Sequence, residues 1–231
     1  MIKKINYNEL GRNSQPAWLN SHFHFSFAEY YNPNNMNFGA LRVINDDIVQ
    51  PRNGFGTHPH RDMEIVSYVI DGELTHADSM GNESTLTRGQ IQYMSAGTGV
   101  LHSEYNKTDQ LLRFLQIWIM PDAADYRPNY GDMKFNKSDR QDQLLHAVSN
   151  IEGNAPIKIH QDIDLYVSET KKELSLNIEQ NKQAYLVLIE GKALINGIEV
   201  NHGDALEIIE EDITIKPEDY AHFLIIKMTK E

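Results

Sequence analysis

Residues 56–82 read GTHPHRDMEIVSYVIDGELTHADSMGN, the most informative segment of the sequence. A β-rich run, Glu64 to Ile70, is followed at once by the turn pair Asp71-Gly72. Comparable short runs recur along the chain, whereas helical periodicity is scarce; the runs lie at 41–44, 91–94, 114–120, 185–189 and 223–228. Strands at such regular spacing, separated by dense turn residues, predict an all-β protein built as a sandwich or barrel.

The strand pattern lapses between residues 122 and 143, where DAADYRPNYGDMKFNKSDRQDQ is polar and rich in turn residues. We therefore predict two β-domains of roughly a hundred residues each, residues 1–135 and 136–231. A faint internal repeat supports this division, because YVIDGEL, which begins at Tyr68, recurs as VLIEGKA, which begins at Val187. A further glycine follows each copy, Gly89 in the first and Gly203 in the second. Two copies of one barrel would produce this repeat.

The composition excludes several classes of protein. The chain has 231 residues, a formal net charge of -12 and no cysteine. An acidic surface lacks the clustered cations that bind nucleic acid or an anionic membrane. The absence of cysteine excludes disulfide scaffolds, thiolate metal sites and thiol catalysis, so any metal must bind through histidine and carboxylate. The sequence shows no secretory signal pattern and no apolar run of about 18 residues, and we expect a cytoplasmic protein.

Two short motifs carry the candidate chemistry. One residue separates His58 from His60, and one residue separates His102 from Glu104. Residues two apart on a strand project from the same face about 6.6 Å apart, so each pair can converge on one ion. Pro59 cannot donate to a strand ladder, which predicts a strand edge, a strand start or a bulge at this point. Three imidazoles and one carboxylate suit Fe(II), Mn, Ni, Cu or Zn and leave coordination positions open for a small ligand.

Other polar residues offer alternatives to this set. Glu64 has the same strand parity as His58 and His60, and the pattern leaves open whether Glu64 or Glu104 is the carboxylate ligand. His22 and His24 form another pair, but no second pair accompanies them, so we predict that they bind no metal. The remaining histidines have no paired partner in the sequence. We interpret His76, His146 and His160 as structural residues, and His202 and His222 as ordinary surface or turn residues.

The same residues resemble a known family. The positions that match the two cupin-superfamily motifs are His58, His60, Glu64, Asp71, Gly72, Gly89, Gly97, His102 and Asn106. More specifically, residues 56–82 together with MSAGTGVLHSEYN at 94–106 closely resemble the pirin family. The sequence looks most like the short bacterial pirin-like proteins with quercetin 2,3-dioxygenase activity. The resemblance covers residues 15–165 well and the remainder loosely.

The resemblance implies a bicupin, that is, two jelly-roll β-barrel (double-stranded β-helix) domains. The metal site would lie in residues 1–135, where the family's ligands map onto His58, His60, His102 and Glu104. Glu64 then becomes a catalytic acid–base candidate beside Glu104. Residues 136–231 lack the histidine pattern, so the second domain is expected to be a cupin without metal.

The resemblance also implies an oxidoreductase of the quercetin 2,3-dioxygenase type. One divalent transition metal is expected, Fe(II) in the first place, with Mn, Ni, Cu, Co and Zn as alternatives. The expected partners are a small aromatic, flavonol-like substrate and O2. In the expected reaction the enzyme cleaves the flavonol heterocycle with O2 and releases CO. The alternative function is a metal- and redox-dependent pirin-like regulatory protein that acts through contacts with a protein partner. We expect a monomer with no direct nucleic-acid partner and no membrane partner.

Overall fold

The computed structural model describes residues 1–13 and 16–230, and its regular structure is almost entirely β-strand. In chain order the strands are β1 (Ile2–Ile5), β2 (Gly11–Arg12), β3 (Leu19–Phe23), β4 (Leu41–Val49), β5 (Gly54–His60), β6 (Glu64–Asp71), β7 (Leu74–Asp78), β8 (Glu83–Leu86), β9 (Ile91–Ser95), β10 (Val100–Tyr105), β11 (Leu112–Ile119), β12 (Asn129–Met133), β13 (Leu145–Asn150), β14 (Ile157–Ile159), β15 (Ile163–Thr170), β16 (Leu174–Leu176), β17 (Lys182–Ile195), β18 (Ile198–Asn201), β19 (Ala205–Ile209) and β20 (Ile213–Thr229). Two single turns of 3-10 helix lie at Tyr7–Glu9 and Lys137–Asp139. The predicted all-β class is confirmed.

The strand runs identified in the sequence fall inside β4, β6, β9, β11, β17 and β20. The one exception is Met120, the last residue of the run 114–120, which lies one residue beyond the end of β11. In the described part of the chain, no helix has the length and apolar character needed to cross a membrane.

The first compact unit comprises Gly11–Phe135 and Ile159–Gln161. It contains a seven-stranded sheet in the order β12-β9-β6-β11-β4-β3-β2 and a four-stranded sheet in the order β5-β10-β7-β8. Buried side chains from both sheets pack in one cluster, which includes Phe114 and Leu112 from the larger sheet and Leu74 and Leu86 from the smaller. Alternation along each strand places these apolar residues on the inner faces, so the two sheets form a sandwich around this core.

The second compact unit comprises Met1–Leu10, Asn136–Lys158 and Asp162–Glu231. Its sheet has nine strands, with the main path β1-β19-β17-β20-β15-β13-β14, while β16 pairs with β20 and β18 pairs with β17. The two longest strands, β17 and β20, pair along most of their length, and bulges interrupt their register after Leu188 and after Gly191. Bulges bend a strand, and this lets the long strands curve around the buried cluster that includes Leu186, Phe223 and Ile225.

Both units use the repeated glycine in the same way. Gly72 has φ +79° and Gly191 has φ +89°, and a Cβ at either position would meet a backbone oxygen, Leu111 O at 2.3 Å or Tyr220 O at 2.0 Å. A side chain at either position would therefore be both strained and blocked by backbone. The faint sequence repeat thus corresponds to a shared local geometry.

The division into units differs from the predicted domains 1–135 and 136–231 at two places. The boundary between Phe135 and Asn136 lies where the sequence predicts it. However, Met1–Leu10 belongs to the second unit and Ile159–Gln161 belongs to the first. The reason for the first difference is strand pairing: β1 lies antiparallel to β19, with Ile2 opposite Ile208 and Ile5 opposite Ala205. A salt bridge of 2.8 Å between Lys4 Nζ and Asp204 Oδ2 adds to this pairing.

Candidate metal centre

Three histidines of the four-stranded sheet converge at one point of the first unit. His58 and His60 lie on β5, His102 lies on β10, and His102 is directly opposite His58 in the antiparallel register. The Nε2 atoms of His58 and His102 are 3.0 Å apart. One ring nitrogen from each of the three histidines lies within 4.8 Å of the other two. Strand pairing therefore assembles the imidazole cluster that the sequence motifs predict.

The local backbone of β5 orients this cluster. His58 Nδ1 lies 2.8 Å from the carbonyl oxygen of Gly56. A ring N–H donated to that oxygen leaves the Nε2 lone pair of His58 directed at the other histidines. The β5–β10 register shifts between His102 and Glu104, as at a bulge. On β5 this shift falls between Phe55 and His58, while Pro59 pairs regularly with Leu101. The strand edge predicted at Pro59 is present, because β5 is an edge strand of its sheet.

The cluster favours neutral imidazoles. Burial, and to a smaller extent the neighbouring His58, lower the pKa of His60 to about 4. Burial together with His58, His60 and His76 lowers the pKa of His102 to about 2, against a smaller raising effect of Asp78. Neutral imidazole is the form that binds a metal. Two nitrogen ligands at about 2.1 Å from one ion and at right angles would be about 3.0 Å apart, which the His58–His102 spacing matches.

Glu104 is a fully buried carboxylate on the same strand as His102. Its Oε1 accepts hydrogen bonds from Ser67 Oγ at 3.0 Å and from Gln92 Nε2 at 2.6 Å, and its Oε2 accepts one from Gln116 Nε2. Burial raises the pKa of Glu104 to about 7, against the lowering effect of these hydrogen bonds. A second group of ligand atoms within 4.8 Å of one another consists of His76, His102 and Glu104. Glu104 therefore adjoins the imidazole cluster through His102.

His76 was interpreted from the sequence as an isolated structural histidine, but it belongs to this site. Its side chain is fully buried on β7, and its Nδ1 lies 3.5 Å from Nδ1 of His102. On the other side of the ring, Nε2 lies 3.1 Å from Asp78 Oδ2, and the ring stacks on Tyr130 with 4.3 Å between centroids. The available sequence signal is the His76-x-Asp78 spacing, which places both side chains on one face of a strand.

Glu64 lies in a different environment. It is buried on β6, and its Oε1 accepts a hydrogen bond of 2.7 Å from Ser95 Oγ and lies 3.2 Å from His160 Nδ1. Its Oε2 has no hydrogen-bond partner among the described residues. Burial raises the pKa of Glu64, although Ser95 and His160 oppose the effect. In the described part of the chain, neither three-residue group of close metal-ligand atoms includes Glu64.

A cavity of about 220 Å³ adjoins the histidines. Its apolar lining is Pro16, Leu19, Phe23, Phe27, Ala28, Phe55 and Trp118, and its polar lining is Asn13, Ser21, Glu29, Asn45, Asp47, His58, His60, Glu104 and Gln116. Aromatic walls beside a few convergent polar groups are typical of small-molecule sites. Phe55 and Trp118, two aromatic residues near the motifs in sequence, therefore contribute to the cavity as well as to packing.

His222 corrects the sequence interpretation in the second unit. It was expected to be a surface or turn histidine, but it is fully buried on β20, and its Nδ1 lies 2.9 Å from Glu190 Oε2. Glu190 lies opposite His222 in the β17–β20 pairing. The sequence does not reveal Glu190 as the partner of His222, because the two residues become neighbours only when β17 and β20 pair in the folded sheet.

Comparison with known proteins assigns the family. The pirin family profile matches residues 6–119, and the profile of the quercetinase C-terminal cupin domain matches residues 146–228. The quercetin 2,3-dioxygenase of Escherichia coli strain K12 is 42% identical over 214 residues, which cover 91% of each chain. A pirin-like protein of Caulobacter vibrioides is 37% identical over 230 residues, 98% of this chain and 99% of its own.

Solved structures agree with these sequence matches. The crystal structure of the bacterial pirin YhhW from Escherichia coli in complex with nickel(II) superposes with a TM-score of 0.93. The identity is 37%, and the match covers 100% of both chains. The two matched cupin domains and this superposition confirm the expected bicupin fold. This chain belongs to the pirin family.

Proposed function

We propose that this chain is a metal-dependent dioxygenase of the quercetin 2,3-dioxygenase type, which cleaves the heterocycle of a flavonol-like substrate with O2 and releases CO. The observation that carries the proposal is the cluster of three buried or half-buried imidazoles, two of them with Nε2 atoms 3.0 Å apart, beside an aromatic cavity. The quercetin 2,3-dioxygenase of Escherichia coli, 42% identical, supports the choice of reaction.

The proposed ligands of one divalent ion are His58, His60, His102 and Glu104. The donor set fits, because lowered pKa values keep His60 and His102 neutral and a carboxylate adjoins them. Fe(II) is the proposed ion, and Mn, Ni, Cu, Co and Zn suit the same mixed nitrogen and oxygen set. The nickel(II) complex of the related YhhW supports a divalent metal at such a site. A bound ion supplies Lewis-acid polarisation, which lowers the pKa of a flavonol hydroxyl, and a redox partner for dioxygen.

The side chains of this chain have three roles in the proposed reaction. Phe23, Phe27 and Phe55 line the cavity and pack against the planar rings of the substrate. Glu104 also lines the cavity, and its carboxyl, whose pKa burial raises to about 7 in the metal-free chain, accepts the hydroxyl proton once it is displaced from the ion. Ser67, Gln92 and Gln116 hold this carboxylate in one orientation. Glu64 is the alternative base, since burial raises its pKa as well.

Metal content and turnover of three proteins test the proposal. The wild type, His102→Ala and the control His202→Ala, an exposed histidine of the second unit, are purified in parallel. We expect one equivalent of metal, quercetin consumption and CO release in the wild type and the control, and the loss of all three in His102→Ala. A His102→Ala protein that loses the metal yet still releases CO would contradict the proposed site.

The choice of base needs a separate pair of variants. Glu104→Gln keeps the shape of the side chain and removes its basicity, and Glu64→Gln does the same on β6. Because Glu104 is also a proposed ligand, the metal content of both variants is measured and kcat is compared per metal-bound protein. We expect Glu104→Gln to lower this kcat at least 100-fold, within the range that general-base catalysis contributes, and Glu64→Gln to change it far less. The reverse order would assign the base to Glu64. Bound metal without turnover of any flavonol in the wild type would contradict the dioxygenase and favour the metal-dependent regulatory protein.

A further inference from the structure

A row of polar side chains crosses the seven-stranded sheet of the first unit. In register, Asn45 on β4 is opposite Gln116 on β11, Gln116 is opposite Ser67 on β6, and Ser67 is opposite Gln92 on β9. Gln116, Ser67 and Gln92 all donate hydrogen bonds to Glu104 of the facing sheet. Asn45 ends the row. It lines the cavity, is 3% exposed, and its Oδ1 has no hydrogen-bond partner among the described residues.

Trp118, which lines the same cavity, carries a group of the complementary kind. It lies two residues after Gln116 on β11 and therefore on the same face of the sheet as the polar row. Its Nε1 is buried and likewise has no hydrogen-bond partner among the described residues. The centroid of its ring is 4.8 Å from that of His60. Two residues of the cavity lining thus carry a buried polar atom without a partner among the described residues, an acceptor on Asn45 and a donor on Trp118.

Buried polar atoms without partners are rare in folded proteins, because each one forfeits its hydrogen bonds to water. Two residues of one cavity lining that carry such atoms of opposite character suit a ligand that supplies both partners. A hydroxyl group donates to the amide oxygen of Asn45, and an ether, carbonyl or hydroxyl oxygen accepts from Trp118. The phenylalanines of the cavity cover the flat apolar faces of such a ligand.

We propose that Asn45 and Trp118 determine the substrate specificity of this cavity. Asn45 accepts a hydrogen bond from a hydroxyl on the pendant ring of the substrate, and the Nε1–H of Trp118 donates to a substrate oxygen beside His60. The substrate class is a planar aromatic compound that carries a free hydroxyl on a pendant ring, in addition to the oxygen atoms near the histidines. This inference rests on the proposed function and specifies the substrate of the same site.

Anaerobic calorimetric binding to the purified full chain tests the inference, since turnover is absent without O2. The ligands are quercetin, whose pendant ring carries two hydroxyls, and galangin, whose pendant ring carries none. We expect the wild type to bind quercetin about tenfold more tightly than galangin, which is the usual contribution of one hydrogen bond to affinity. Asn45→Leu is expected to weaken quercetin binding about tenfold and leave galangin binding unchanged, whereas Asn45→Asp, which retains an acceptor, keeps the preference for quercetin.

The second residue has a matched control, because the chain has two tryptophans. Trp118→Phe is expected to weaken both ligands about tenfold through loss of the donor. Trp18→Phe, which removes the same N–H from a residue packed against Phe55 outside the cavity lining, is expected to weaken neither. Circular dichroism melting of every variant separates loss of binding from loss of fold.

The outcomes separate this inference from the proposed function. Equal binding of quercetin and galangin by the wild type, or equal weakening of both by Asn45→Leu, overturns the inference even where quercetin is consumed aerobically. The expected binding pattern without aerobic consumption supports the inference and overturns the dioxygenase. A wild type that binds neither ligand overturns both.

Discussion

The buried carboxyl of Asp47 makes the stability of the first unit depend on pH. Asp47 lies on β4, is 3% exposed and accepts a hydrogen bond from Ser21 Oγ. Burial raises its pKa from 3.8 to about 7, with Asp46 and Glu104 adding to the effect and Ser21 opposing it. Between these two pH values the folded state holds a proton that the unfolded state has released. Stability is therefore fully present below about pH 4 and falls as the pH rises through about 7.

The size of this effect follows from linkage. Between the unfolded pKa of 3.8 and the folded pKa of about 7, each pH unit changes the free energy of unfolding by about 1.4 kcal/mol. The whole range therefore corresponds to an upper limit of about 4 kcal/mol. The part that lies between pH 5 and pH 7 corresponds to about 3 kcal/mol. Asp47→Asn removes the titration, and its amide oxygen still accepts from Ser21.

Urea unfolding in the presence of a chelator measures the difference. Both tryptophans, Trp18 and Trp118, lie in the first unit, so their fluorescence follows that unit. Burial lowers the pKa of His60 and of His102, which makes stability rise with pH, but this contribution is common to both proteins and cancels in the comparison. From pH 5 to pH 8 we expect the wild type to lose up to about 3 kcal/mol more than Asp47→Asn. Equal pH slopes for the two proteins would refute the reasoning.

Three further outcomes are expected. His76→Ala removes the ring beside His102 Nδ1 and should lower metal affinity about 10- to 100-fold in chelator competition; unchanged affinity would show that His76 does not position the ligand. Gly97→Ala places a Cβ 1.9 Å from the backbone oxygen of Tyr126 at φ +43°, and a destabilisation of more than about 2 kcal/mol should appear as a lower Tm. Ile225→Ala empties part of the second unit's core and should cost about 2–5 kcal/mol in denaturant unfolding, while a loss below about 1 kcal/mol would mean that the core collapses into the space.

Local pattern alone was sufficient for the strands and for the metal motifs. Short β-rich runs bounded by turn residues predicted the positions of β4, β6, β9, β11, β17 and β20. This was possible because the two-residue period of a strand can be recognised within a few consecutive residues. The same period placed His58 and His60 on one face of β5, and His102 and Glu104 on one face of β10. The YVIDGEL repeat anticipated two copies of one local geometry, since only glycine fits the conformation at Gly72 and Gly191.

Tertiary pairing decided the remaining features. The first ten residues joined the second unit because β1 pairs with β19, some two hundred positions away, and no local pattern encodes such a partner. The environment of Glu64 and Glu104 also depended on the fold: register brings Glu104 to Ser67, Gln92 and Gln116, and directs Glu64 to Ser95 and His160.

The all-β fold, the family resemblance and the imidazole pairs could thus be predicted from the sequence, because each depends on residue spacing within short segments. Only the tertiary structure placed His76 behind His102 and left Asn45 and Trp118 with unpaired polar atoms beside the cavity. Those features depend on which strands become neighbours and in what register, and register is fixed by burial of the whole sheet rather than by any one segment.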